Sequence, residues 1–115
     1  MVRDLPRSYE VVVRDRVKFR VRSLVYLAFS RDERTMGFAF PKLERDALVQ
    51  SRPALFALPA ASDLRYNWVH AALPAFDSPE LADELEELVL DAWTMVVPKS
   101  VAAAELLRRN RPARP

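Results

Sequence analysis

The stretch Arg16-Val17-Lys18-Phe19-Arg20-Val21-Arg22 alternates cationic and apolar residues without a break. Successive side chains of a strand point to opposite faces, so Val17, Phe19 and Val21 share a core face, while Arg16, Lys18, Arg20 and Arg22 share the other. The segment reads as a half-buried strand over residues 16–22, and its neighbours follow from it. Ser23 turns the chain, and residues 24–30 (LVYLAFS) form a second, more apolar strand. The polar run 31–34 ends it, residues 35–40 (TMGFAF) form a third, and Pro41 stops that one. Consecutive strands with short links make an antiparallel meander.

Leu43, Ala47 and Leu48 stand at helical spacing and predict a short helix over residues 42–51, ended by Pro53. Residues 54–58 read as a short strand, 59–63 as a loop and 66–73 (YNWVHAAL) as the last strand, closed by Pro74. The strongest element follows. Ser78 is a good N-cap, and Pro79 sits at the first helical position, where its missing N–H costs nothing. Leu81, Leu85, Leu88, Val89, Ala92, Trp93 and Val96 then fall on one helical face, so an amphipathic helix of about five turns packs on the sheet. Pro98 ends or kinks it, and residues 101–107 continue as a shorter helix. The basic tail 108–115 (RRNRPARP) is expected to be disordered, which leaves residues 1–107 as a single domain.

Composition narrows the chemistry. The 115 residues are half apolar and 30% charged, as expected of one globular domain. The absence of cysteine removes disulfides, thiolate metal sites and cysteine nucleophiles. A single glycine, Gly37, cannot build a phosphate-cradling loop, and a single histidine, His70, cannot build a multi-histidine metal site. No cofactor is expected. The serines lie in no nucleophile motif and no carboxylate pair stands out, so the expectation is a protein without enzymatic activity. The start carries charges at Arg3, Asp4 and Arg7 and no apolar core of a signal peptide, and no run approaches the roughly 20 apolar residues of a membrane span. A cytoplasmic protein with no membrane partner is expected.

Charge is segregated. Residues 1–34 carry nine basic and five acidic groups, whereas residues 76–97 carry seven acidic and none basic. The net charge of +2 therefore conceals a dipole.

Several pieces in order, Leu5-Pro6, Phe19-Arg20-Val21-Arg22 before a turn, Tyr66 and Trp68 in a late strand, and Asp91-Ala92-Trp93 leading to Val97-Pro98-Lys99, resemble the MmcQ/YjbR family of small bacterial proteins. The resemblance spans roughly residues 5–105. It implies a two-layer α+β fold, related to the frataxin-like group, with a five-stranded antiparallel sheet and helices on one face. The family order is helix, three strands, helix, two strands, helix, and the elements read above supply β(3)-α-β(2)-α. Only Met1 to Asp4 precede Leu5, so the family's opening helix is expected to be absent or truncated, and Ser23 stands where the family usually has glycine. The resemblance further implies DNA binding through a double-wing arrangement, with no agreed catalytic residues.

The cation row is the most specific feature. Same-face side chains on a strand repeat every ~6.7 Å, so Arg16, Lys18, Arg20 and Arg22 suit a phosphate backbone. A solvated face that discourages edge-to-edge pairing is the competing reading. Tyr66 and Trp68, with His70, share one strand face, suited either to stacking on unpaired bases or to packing against the long helix. Glu80, Asp83, Glu84, Glu87 and Asp91 make a solvated acidic surface, and no metal site is expected there. The expected function is weak, nonspecific nucleic-acid binding through the basic strand, assisted by Arg108, Arg109, Arg111 and Arg114. The alternative is a protein–protein adaptor using an apolar sheet face or the acidic helix. A missing opening helix would bare apolar surface, so a homodimer is also expected.

Overall fold

The alternation that begins at Arg16 builds β2 (Arg16–Val21), whose Phe19 and Val21 are buried. The computed structural model describes residues 4–109. Before β2 comes β1 (Ser8–Val13), and after it β3 (Leu24–Phe29), β4 (Thr35–Ala39), β5 (Phe56–Ala57) and β6 (Trp68–Ala72). Together they form one antiparallel sheet in the order β1-β2-β3-β4-β6-β5. The sheet thus has six strands where five were expected.

The additional strand is β1, which pairs with β2 along its full length, from Ser8 opposite Val21 to Val13 opposite Arg16. Its sequence hides it, because Ser-Tyr-Glu-Val-Val-Val does not alternate and Val12 is 64% exposed on an edge strand. Arg14 and Asp15 close the hairpin with φ of 52° and 64°, the two left-handed residues that a type I′ turn demands. β2 is therefore an interior strand, and its cations do not guard an edge. Arg22 leaves the row as well, since it begins the turn to β3 with φ 56°.

A register shift opposite Phe19 and Arg20 bulges β3. Two consecutive residues, Tyr26 and Leu27, are consequently both buried, which strict alternation forbids. The Tyr26 hydroxyl lies 2.6 Å from the Ser8 hydroxyl, and burial raises its pKa against the lowering effect of that hydrogen bond.

Among the described residues three α-helices complete the fold: α1 (Lys42–Ser51), α2 (Pro79–Thr94) and α3 (Lys99–Arg108). The Ser78 side chain caps α2 by accepting from the Leu81 N–H at 3.1 Å. α2 packs on β3 and β4, burying Val89, Leu90, Ala92 and Trp93 against Leu27, Met36 and Phe38 in one core. The Trp93 indole N–H donates to the Pro6 carbonyl at 2.9 Å, and the neighbouring Leu5 is buried. α2 stops at Thr94, and α3 starts directly after Pro98, which fixes the extended backbone at its N-cap.

Two expectations fail here. Leu43 is 95% exposed, and α1 turns Leu48, Val49 and the buried Arg45 inward instead. At the other end, Arg108 finishes α3, and it and Arg109 both pair with the buried Glu105, so these arginines are not part of a disordered tail. Hydrogen bonds from Arg108 hold the Glu105 carboxyl down to about 2, against the opposing effect of burial. Arg111 and Arg114 lie outside the described residues. Among the described residues no helix is long and apolar enough to cross a membrane.

Replacing Trp93 by alanine should destabilise the protein by about 3–5 kcal/mol, the usual cost of emptying a buried tryptophan site. Thermal unfolding measures it. A melting temperature close to wild type would refute the packing described for α2.

Candidate nucleic-acid interface

With α2 on one face of the sheet, the residues that alternate with the core point to the other. The pairings place Lys18 opposite Ala28, Ala28 opposite Gly37, and Gly37 opposite His70, so one row runs straight across four strands. Its ends are polar and its middle is as small as side chains allow. The result is a trough of about 640 Å³, whose lining includes Arg16 and Lys18 on one side and Tyr66, Trp68 and His70 on the other.

Trp68 shapes the floor. It pairs with Ala39 in the ladder, and its indole reaches over Gly37 on the neighbouring strand. A Cβ at position 37 would stand 2.8 and 2.9 Å from Cε2 and Cζ2 of the ring and closer still to Nε1. Gly37 is thus required for space, since its φ is not in the left-handed region. A glycine inside an otherwise apolar strand often marks such a close approach, and this was the signal available in the sequence.

The loop before β6 is held by a residue the sequence did not single out. Arg45 of α1 is buried, and its guanidinium donates to the carbonyls of Leu64, Tyr66 and Trp68 at 2.9, 3.0 and 3.1 Å. Asn67 adds a bond by accepting the Lys42 N–H at 2.9 Å. Nothing in the periodicity of α1 announces this role, because the carbonyls it serves lie about twenty residues away.

The predicted contact residues separate on inspection. Arg16 and Lys18 line the trough. Arg20 shares their strand, and its Nε is buried without a hydrogen-bond partner among the described residues. Arg22 is exposed in the turn, where its carbonyl accepts from the Tyr9 hydroxyl. Trp68 and His70 are half-buried and alternate with the core residues Val69 and Ala71, and Trp68 also packs against the core cluster. Tyr66 precedes the strand, exposed, with the Arg65 guanidinium 4.8 Å from its ring centre.

Electrostatics favour an anion. None of the ion pairs among the described residues engages Arg16, Lys18 or Arg20. A second cleft of about 710 Å³ adjoins the trough through Arg16, Lys18 and Ser30 and adds Arg14 and Arg31. Asp63 in the trough and Asp32 in the cleft are the carboxylates among the lining residues. Asp32 is occupied, accepting from the Ser30 hydroxyl and the Arg34 N–H, which lower its pKa. His70 is held below the ordinary imidazole pKa chiefly by burial, with Asp63 opposing and Arg16 assisting, so it is neutral at pH 7. On α2, Glu84 pairs with Arg52. Among the described residues no three histidine or carboxylate side chains gather as metal ligands.

No protein-family model matches the chain, and no curated relative does either. A solved structure does match. The crystal structure of Deinococcus radiodurans protein DR2400, which carries a DUF419 domain, superposes with a TM-score of 0.71 at 21% sequence identity. The match covers 96% of this chain and 83% of that one. DUF419 is the YjbR/MmcQ-like family, and the match shows that the two proteins share an α+β fold with an antiparallel sheet.

Substituting Gly37 by alanine should force the indole off the sheet and destabilise the protein by about 1–3 kcal/mol, the usual range for overpacking. Trp93 stays buried, so a red shift of tryptophan emission would report Trp68 alone. Unchanged emission and stability would show that Trp68 does not rest on Gly37.

Proposed function

We propose that the protein belongs to the YjbR/MmcQ-like family and binds nucleic acid, without sequence preference, through the open face of its sheet. The carrying observation is that Arg16 and Lys18 of β2, in no ion pair among the described residues, line both the trough and the cleft that adds Arg14 and Arg31, with Arg20 further along the same strand. Phosphate contacts position a polyanion on such a surface without reading its sequence. Two further features support the reading. Arg14 and Arg22 occupy left-handed turn positions that glycine or asparagine would fill with less strain, so cationic charge stands at hairpin tips despite a conformational cost. The acidic residues of α2 lie on the helical layer, so repulsion orients the polyanion toward the sheet.

The fold family brings no catalytic residues with it, and the binding reading requires none. It does require that affinity fall with salt. If three strand cations meet phosphates of a duplex, log K falls against log salt with a slope of roughly −2.7, at about −0.9 per contact. Replacing Arg16, Lys18 and Arg20 by serine should flatten that slope toward zero. Stability should change by about 0.5 kcal/mol or less at the exposed Arg16 and by more at Arg20, whose Nε is buried, so thermal unfolding of the variant is measured alongside. Fluorescence anisotropy with labelled oligonucleotides across a salt series measures both proteins. A wild-type protein that binds no single- or double-stranded oligonucleotide at low salt refutes the reading, and docking to another protein then becomes the better account of this surface.

A further inference from the structure

We infer that the trough over Gly37 is a seat for one unpaired base, so that the ligand of this face is single-stranded nucleic acid. The inference rests on the phosphate-binding reading above and adds what the phosphates are attached to. Three observations carry it.

The first is the indole of Trp68. It lines the trough with Ala28 and Ala39, and the edge formed by its Nε1, Cε2 and Cζ2 packs against Gly37. An aromatic ring within a concavity can stack on a base only when that base is out of a duplex.

The second is the spacing. Lys18 stands two strands from Gly37 in the same lateral row, about 10 Å between backbones at the usual strand separation. A base on Trp68 and its own phosphate, met by the lysine side chain reaching inward, span that interval. Arg16, one pleat further along β2, takes the next phosphate.

The third is the chemistry of the rim. His70 lines the trough, and an imidazole held neutral offers one donor and one acceptor to a base edge. Asp63 repels a phosphate from the aromatic side of the trough and so keeps the backbone on the β2 side. Tyr66 adds little stacking surface, because Arg65 covers one face of its ring and donates to its hydroxyl at 2.7 Å.

The test compares the full chain with a twelve-nucleotide single-stranded DNA, the RNA of the same sequence, the corresponding DNA duplex and polyglutamate, at one salt concentration. Both single strands should bind roughly tenfold more tightly than the duplex, within the range that one base–aromatic stack supplies. They should quench Trp68 emission, and the duplex and polyglutamate should not. Trp68→Leu should lose about that tenfold for single strands and nothing for the duplex, whereas Trp68→Phe, which keeps a stacking ring, should recover part of it. Equal or tighter binding of the duplex without quenching overturns the base seat while leaving phosphate binding by Arg16, Lys18 and Arg20 intact. Competition by polyglutamate equal to that of the single strands also overturns it, since charge alone would then account for the binding. Absence of binding to every oligonucleotide removes both readings. Quenching of the wild-type protein needs no variant, so the test stands even if Trp68→Leu fails to fold.

Discussion

Burial of Trp93 decides which side of this sheet is covered. The indole is packed between α2 and the sheet, and its N–H is satisfied by the Pro6 carbonyl at the entrance to β1. That one side chain ties the helical layer to the first strand across nearly the whole length of the chain. A buried indole left without its hydrogen bond would pay a desolvation penalty, so the position of Pro6 is fixed along with the helix. Leu5-Pro6 and Asp91-Ala92-Trp93 both carry the family resemblance, and in the folded protein Trp93 and Pro6 meet in one hydrogen bond. Once α2 occupies one face, the acidic residues it carries are committed to the helical layer, and the cations of β2 are committed to the other.

The open face is made usable by absence of bulk. Ala28 and Gly37 at the middle of the lateral row lower the floor between Lys18 and His70. Trp68 fills part of that depression, and Arg45 holds the carbonyls of the chain leading into it. The same geometry that gives stability thus presents an aromatic surface and unpaired cations together. In the proposed reading, electrostatic attraction would supply affinity for a polyanion in general, and the indole would discriminate an unpaired base from a paired one.

Much of this was legible in the sequence where a repeating pattern met a simple physical rule. The period of two in residues 16–22 located β2 and sorted its cations from its core residues. Ser78-Pro79 and the apolar stripe after them located α2. What stayed hidden depended on partners distant in the chain. β1 lacks alternation because an edge strand buries little, and its hairpin turn is built from Arg14 and Asp15 in place of the usual glycine or asparagine. Arg45 looked like one more charge on an exposed helix, since the carbonyls that recruit it belong to residues 64–68. The bulge that buries both Tyr26 and Leu27 has no local signature. For the site, Arg16, Lys18, Trp68 and His70 were placed together on the same surface, while Arg22 fell in a turn and Arg108 and Arg109 proved to be partners of Glu105.

The account depends on a polyanion meeting the sheet at β2 and Trp68, away from the helices. A titration of the isotope-labelled protein with a short single-stranded oligonucleotide, followed by amide and indole N–H chemical shifts, addresses this directly. The two tryptophans give two indole signals, one on the open face and one in the core. The Trp68 indole and the amides of residues 16–20 and Gly37 should shift together with one affinity, while the Trp93 indole and the amides of α2 stay in place. Shifts confined to α2 and α3, or a moving Trp93 signal beside a static Trp68, would contradict the account.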